Sequence, residues 1–264
     1  MRTLQPEALC KDAMHIIRET GNYIRERRKQ FASVSIAKKG VRDFVTEVDT
    51  YSEKVLIEKL GALVPGSTFI AEENTVEAHV SEYTWIIDPL DGTMNYVHGI
   101  PVYAISVALQ ENGKTIVGIV FEMVQDEMFC AWEGSDAFCN GEKIQVSGCA
   151  QLKDALIATG FPYIRTPERT RALANTLQYF LDEGRDIRRL GTAATDLCYI
   201  ACGRLDVYYE GYLNIWDIAA GIFIVQQAGG VAVNFKGQTD FSEGNVLAAN
   251  PALIETSLQG IQFA

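Results

Sequence analysis

The chain has 264 residues, of which 48% are hydrophobic and 22% charged, and its formal net charge is -11. That length holds one large domain or two tightly joined ones, and the apolar share supplies a core without help from disulfides. The acid excess excludes the basic face that nucleic-acid binding requires.

Asp, Glu, Arg and Lys interrupt the first thirty or so residues too often for a signal peptide. No apolar stretch reaches the ~20 residues of a membrane helix; the best candidate, 215–233, carries Asp217 and two Gln. These features predict a cytoplasmic protein without membrane contact. The basic run Arg25, Arg27, Arg28 and Lys29 ends a predicted helix, where it suits the negative end of the dipole. Six cysteines occur without a Cys-x-x-Cys pair, so a zinc or thioredoxin-like site is not indicated, and Cys198 and Cys202 read as core-facing.

Along the chain, Leu9, Ala13, Ile16, Ile17, Ile24 and Phe31 recur at helical spacing from Pro6 to Phe31. A second helix is expected from near Thr46 to Leu63, capped through Thr46-x-x-Asp49 or Thr50-x-x-Glu53. Short apolar strands follow over 68–72 and 83–88, each ending in acids. Strands over 102–109 and 114–124 flank the hairpin turn Asn112-Gly113. Further strands over 128–132 and 143–146 lie either side of Asn140-Gly141. The segment Tyr103–Leu109 suits a core or a dimer face equally. From Ala155 onward strands (156–159, 186–190, 205–209) alternate with helices (167–181, 192–202, 216–228), and strands over 231–234 and 246–249 close the chain. The pattern predicts an α/β (α+β) fold in two subdomains, 1–150 and 151–264, sharing one rigid body.

The segment Trp85-Ile86-Ile87-Asp88-Pro89-Leu90-Asp91-Gly92-Thr93 concentrates the chemistry. An apolar strand runs into an acid, a stiffening proline, a second acid and a helix start. Strand ends are where layered α/β proteins expose ligand sites. Both Asp side chains and the Leu90 carbonyl can converge on one point, and oxygen donors in a tight turn suit a hard cation such as magnesium. Gly92 lets a phosphate approach, and free N–H groups at the helix start can bind it. Taken singly, either Asp is more often a cap or turn residue than a ligand, and the complete segment shifts the balance toward function. Glu72 and Glu73 close the strand before, and Asp217 and Asp49 stand at helix starts. If Glu72, Asp88, Asp91 and Asp217 cluster, their repulsion raises their pKa values unless cations bind. Two metals about 3.5–4 Å apart can then activate water and stabilise the leaving oxygen. No Gly-x-Ser-x-Gly elbow, Walker loop or cysteine phosphate loop is present, and His15, His79 and His98 are scattered. The chemistry points to direct attack by metal-activated water, without a covalent intermediate.

These segments resemble the inositol monophosphatase family, within the fructose bisphosphatase-like superfamily. The resemblance spans nearly the whole chain. Trp85–Thr93 is similar to the family's first signature and Trp216-Asp217-Ile218-Ala219-Ala220-Gly221 to its second. Ala71-Glu72-Glu73 is similar to a Gly-Glu-Glu segment, with Ala71 in place of Gly. Lys38 followed by Asp43-Phe44-Val45-Thr46-Glu47-Val48-Asp49 resembles a flexible metal-binding loop and the helix after it.

The resemblance implies a layered α/β/α/β/α sandwich, usually dimeric, Mg2+-dependent and lithium-sensitive, acting on a phosphate monoester with inositol monophosphate foremost. It implies that Glu72, Asp88 and the Leu90 carbonyl bind a first magnesium and Asp88, Asp91 and Asp217 a second, with Glu72 helping to hold a weaker third. Thr93 and Glu72 would orient the water, and Asp49 would support Thr93. The Gly92 and Thr93 amides would grip phosphate. Asp91, Ala193 and Glu210 match positions contacting inositol hydroxyls, with Asp217 completing the substrate set. Met94 stands where Thr is common, and Thr159-Gly160-Phe161-Pro162-Tyr163 looks like bacterial members. Such departures leave the ligands intact and bear on substrate choice. Fructose bisphosphate, phosphoadenosine phosphate, NADP and histidinol phosphate are substrates among related enzymes, and a regulatory binding protein that keeps the fold is a third reading.

Overall fold

A computed structural model of the chain describes residues 4–32, 38–73, 79, 81–161 and 166–262. Pro162 and Tyr163, and the side chains of Lys38 and of Asp43 through Thr46, lie outside the described residues.

Leu9, Ala13, Ile17 and Ile24 all turn one face of α1 (Pro6–Ala32) into the core. The basic run lies on its last turns, where Arg25 pairs with Asp126 at 3.0 Å. Helix α2 (Lys38–Leu63) starts at Lys38, not near Thr46. Thr46, Asp49 and Thr50 therefore sit inside the helix, and neither expected capping box forms its start. The segment likened to a loop is likewise helical from Lys38 on.

Strands β1 (Thr68–Ala71), β2 (Tyr83–Asp91), β3 (Ala104–Glu111), β4 (Lys114–Glu122), β5 (Glu127–Trp132), β6 (Ala137–Cys139) and β7 (Glu142–Ile144) form one sheet in chain order. Only β1 and β2 pair in parallel; the other neighbours are antiparallel. Asn112-Gly113 and Asn140-Gly141 take positive φ at both residues, as tight hairpin turns demand. Tyr103–Leu109 is buried within this chain, which accounts for its apolar character.

The second sheet holds β8 (Leu156–Thr159), β9 (Asp186–Arg188), β10 (Val207–Glu210), β11 (Val231–Val233) and β12 (Val246–Ala249), ordered β11-β12-β10-β8-β9. The helices are α3 (Thr93–His98), α4 (Pro167–Glu183), α5 (Ala193–Ala201), α6 (Ile215–Gln227) and α7 (Ile254–Gln259).

Three cores define the layering. Residues of α1 and α2 bury against the outer face of the first sheet, with Trp85, Ile87 and Phe121 at the centre. Helices α5 and α6 fill the space between the sheets, where Leu197 and Ile224 meet Ile86 and Val120 on one side and Ala158 and Ala248 on the other. Beyond the second sheet, Phe180 of α4 stacks on Tyr209 of β10 at 4.6 Å. The order is helix, sheet, helix, sheet, helix. Helix α6 is apolar all round, as burial between two sheets requires. Among the described residues no helix is long and apolar enough to cross a membrane.

Candidate active site

Strand β2 carries the expected acids past a break in its ladder. Asp88 pairs with Ser106 and Asp91 with Ala104, so three steps on β2 span two on β3. Pro89 lies in that interval and donates nothing to the ladder, which favours a bulge. The Leu90 N–H turns back to Asp88 Oδ1 at 2.9 Å. Gly92 then adopts φ 92°, and a Cβ there would stand 3.2 Å from the Val102 carbonyl oxygen. Conformation and space both require glycine at this corner. Helix α3 opens directly after it, and the Thr93 hydroxyl donates to the Leu90 carbonyl oxygen at 3.0 Å.

Other elements bring their acids to the same place. Glu72 follows β1, with its N–H donating to the Ile87 carbonyl at 3.3 Å. Asp217 lies in the first turn of α6, where Oδ2 accepts from the Asn214 N–H at 2.7 Å. Asp91 reaches across to the second half of the chain. Its Oδ2 accepts from the Thr192 hydroxyl at 2.5 Å and the Ala194 N–H at 2.8 Å. Glu210 ends β10 and accepts from the Tyr208 hydroxyl at 2.8 Å.

Glu72, Asp88, Asp91 and Asp217 line one cavity of about 110 Å³, together with Leu90, Gly92, Thr93, Ala193 and Glu210. Of the residues given a catalytic, metal or substrate role from sequence, Asp49 alone is not in the cavity wall, and Glu73 beside Glu72 does not line it either. Asp49 is buried on α2 near Glu72 and Glu73, whose charges repel it, and its Oδ1 finds no partner. The Thr93 hydroxyl meets Leu90 rather than Asp49.

Electrostatics binds these acids into one system. Burial, then repulsion from Glu72, Asp91 and Asp217, raises Asp88 well above the ordinary carboxylate range. Burial, then the Asp217 charge, raises Asp91 even though Thr192 and Ala194 donate to it. Glu72 rises chiefly through burial, although a hydrogen bond with Asp88 opposes the change. Burial pushes Asp217 up to about 6 against the pull of Asn214. Asp49 rises to about 8 through burial, then the Glu73 and Glu72 charges.

The donor set fits hard divalent cations: five carboxylates, Glu210 included, and Leu90 line the cavity, and burial first, then mutual repulsion, holds the acids back from ionising. Arg189 is the one cation among the described lining residues. Among the described residues no three His, Cys, Asp or Glu side chains already form a closed cage. Asp91 and Asp217 instead direct one oxygen each to backbone N–H groups, so the acids share a cavity without closing a coordination shell.

Sequence reasoning missed part of the wall. Phe161, Arg189, Thr192 and Tyr212 all line the cavity. Thr192 was findable: it caps α5 by accepting from the Thr195 N–H, and Thr-x-x-Thr before an apolar run signals a helix start. Arg189, expected in the strand over 186–190, follows β9, and Tyr212 stands between β10 and α6; nothing local marks either as a site residue.

The geometry is that of a layered α/β protein whose acid-lined cleft opens where the two sheets approach each other. Residues 5–262 match the inositol monophosphatase family, and the chain belongs to that family, which is a phosphatase family. Its relatives include the Nus factor SuhB of Vibrio cholerae, 37% identical over 252 residues, covering 95% of this chain and 94% of the relative. The inositol-1-monophosphatase of Mesorhizobium japonicum is 35% identical over 232 residues, with 87% of each chain covered. Among solved structures, the native extragenic suppressor protein suhB of Bartonella henselae superposes with a TM-score of 0.87 at 34% identity, covering 97% of this chain and 98% of that one. The inositol monophosphatase of Anabaena sp. PCC 7120 gives 0.85 at 30% identity, covering 96% and 95%.

Proposed function

We propose that this chain is a magnesium-dependent phosphomonoesterase that hydrolyses inositol monophosphate to inositol and phosphate. The observation that carries the reading is the meeting of Glu72, Asp88, Asp91 and Asp217 in one cavity beside the Gly92-Thr93 turn. Glu72, Asp88 and the Leu90 carbonyl would hold one magnesium, Asp88, Asp91 and Asp217 a second, and Glu72 would help with a weaker third. Magnesium bound there supplies Lewis acidity to the ester and lowers the pKa of water.

The chain's own groups do the rest. The Gly92 and Thr93 amides hold the phosphate. Glu72 and the Thr93 hydroxyl orient the water, and Asp49 supports Thr93. Ala193, Glu210, Asp91 and Asp217 meet the polyol. In this reading residues 1–150 and 151–264 are two subdomains, the working protein is a cytoplasmic homodimer, and millimolar lithium slows turnover.

The test is phosphate release from inositol 1-phosphate with and without magnesium, beside a panel of other small phosphates. Fast, magnesium-dependent turnover of inositol 1-phosphate is expected, and Asp88→Asn abolishes it. Faster turnover of fructose bisphosphate, phosphoadenosine phosphate or NADP would move the substrate while keeping the chemistry. A second reading, a regulatory binding protein, draws support from the relatives named Nus factor SuhB. Cellular function that survived Asp88→Asn would favour it.

A further inference from the structure

Tyr212 is the cavity residue that local sequence explains least. It stands between β10 and α6 with φ 66°, in the left-handed region that bulky side chains avoid. Gly211 precedes it, yet the left-handed conformation falls on the tyrosine. Its N–H donates to Asn245 Oδ1 at 3.3 Å, and Arg169 of α4 lays its guanidinium 3.8 Å from the ring centroid. Strain of this kind persists where surrounding structure enforces it, and it gathers at sites that need one side chain in one place.

The neighbours define what that place offers. Glu210 and Arg189 bring a planar acceptor and a planar donor to the same cavity, with Phe161 beside Arg189. Two aromatic residues in the lining, Tyr212 and Phe161, beside a carboxylate and a guanidinium fit a ring that is apolar on its C–H face and carries hydroxyls at its edge. A flexible acyclic polyol lacks the rigid face and loses more conformational freedom when bound.

We propose that Tyr212, positioned by Arg169, is a specificity-determining residue that selects phosphate esters of cyclic polyols over those of acyclic ones. The inference rests on the phosphomonoesterase reading and goes beyond it.

The experiment compares kcat/KM for inositol 1-phosphate and glycerol 2-phosphate, with magnesium, in the wild type and in Tyr212→Gly, Tyr212→Phe and Arg169→Gln. Glycine accepts the positive φ, so Tyr212→Gly removes the ring and relieves the backbone together. The cyclic-to-acyclic ratio is expected to fall about tenfold in Tyr212→Gly, through the KM of the cyclic ester. Tyr212→Phe should keep the ratio, and Arg169→Gln should lie between. A ratio within twofold of wild type in Tyr212→Gly, or a wild type with no preference, overturns the proposal. So does a Tyr212→Phe ratio as low as that of the glycine variant, since the hydroxyl and not the ring face would then be selecting. Should circular dichroism show Tyr212→Gly unfolded, an unchanged ratio in Arg169→Gln overturns the proposal instead. A wild type that hydrolyses neither ester sinks the phosphatase reading itself.

Discussion

Gly160 has no room for a side chain: a Cβ there would stand 1.9 Å from Glu210 Oε2. Gly160→Ala therefore displaces the Glu210 carboxylate from the cavity wall. Steady-state kinetics should show KM for the polyol ester rising about tenfold or more, with kcat changing less, because a lost hydroxyl partner weakens binding of the whole substrate. Glu210 also sets a pH dependence. Burial pushes it up to about 7, against the Tyr208 hydrogen bond and the Arg189 charge. An unfolded glutamate titrates near ~4.3, so between there and about 7 the folded protein holds a proton that the unfolded chain releases. Stability of the metal-free protein thus falls as pH rises through that window and gains no further penalty from this group above it. Glu210→Gln should flatten this part of a pH series of urea midpoints, with the variant ahead of wild type by roughly 1–3 kcal/mol at pH 8. Residues of this kind differ in how far sequence reveals them. Glu72, Asp88 and Asp91 follow apolar strands, so their position at a strand end was legible. Asp49 was expected at a helix start, but α2 begins at Lys38 and places it inside the helix and outside the cavity wall, near Glu72 and Glu73 of a distant segment.

At the scale of elements, periodicity located nearly every helix and strand, and the errors fall where a local signal was absent. Strand β6 is three residues long, too short to alternate. Strand β2 runs three residues beyond Asp88, because pairing with β3 resumes after the bulge at Pro89. Helix α2 begins at Lys38, and its first turn carries no acid to mark the start in sequence. What sequence patterning cannot show is how closely two elements approach. A Cβ on Gly118 of β4 would lie 2.9 Å from the Ala220 carbonyl oxygen of α6, and one on Gly221 would lie 2.7 Å from Leu197 Cβ of α5. These glycines fix the depth at which α6 sits, and α6 carries Asp217. Gly118→Ala meets backbone, which cannot step aside as a side-chain tip does. It should lower stability by about 1–3 kcal/mol in denaturant titration. It should also reduce turnover, because Asp217 moves with its helix.

Across the whole molecule, the alternation of helices and sheets was readable from chain order, but the meeting of four acids was not. Glu72 and Asp88 come from adjacent strands, Asp91 is tied to α5 by Thr192 and Ala194, and Asp217 arrives on α6. Long-range closure brings them together, at the cost of like charges in a poorly hydrated place. That repulsion predicts how the fold responds to metal. A cation that binds the folded state alone stabilises it by RT ln(1 + [L]/Kd), about 2.7 kcal/mol at a hundredfold excess over Kd. Magnesium should therefore raise the melting temperature of metal-stripped protein, and sodium chloride at equal ionic strength should not match it, because buried charges are screened weakly. Asp88→Asn separates the two contributions. It removes an acid that burial and its neighbours make costly to ionise, so the stripped variant should melt no lower than stripped wild type, yet it should lose most of the gain from magnesium. A variant that still gained the full shift would show that magnesium acts elsewhere on this acidic chain, and the cavity would lose its claim to be the metal centre.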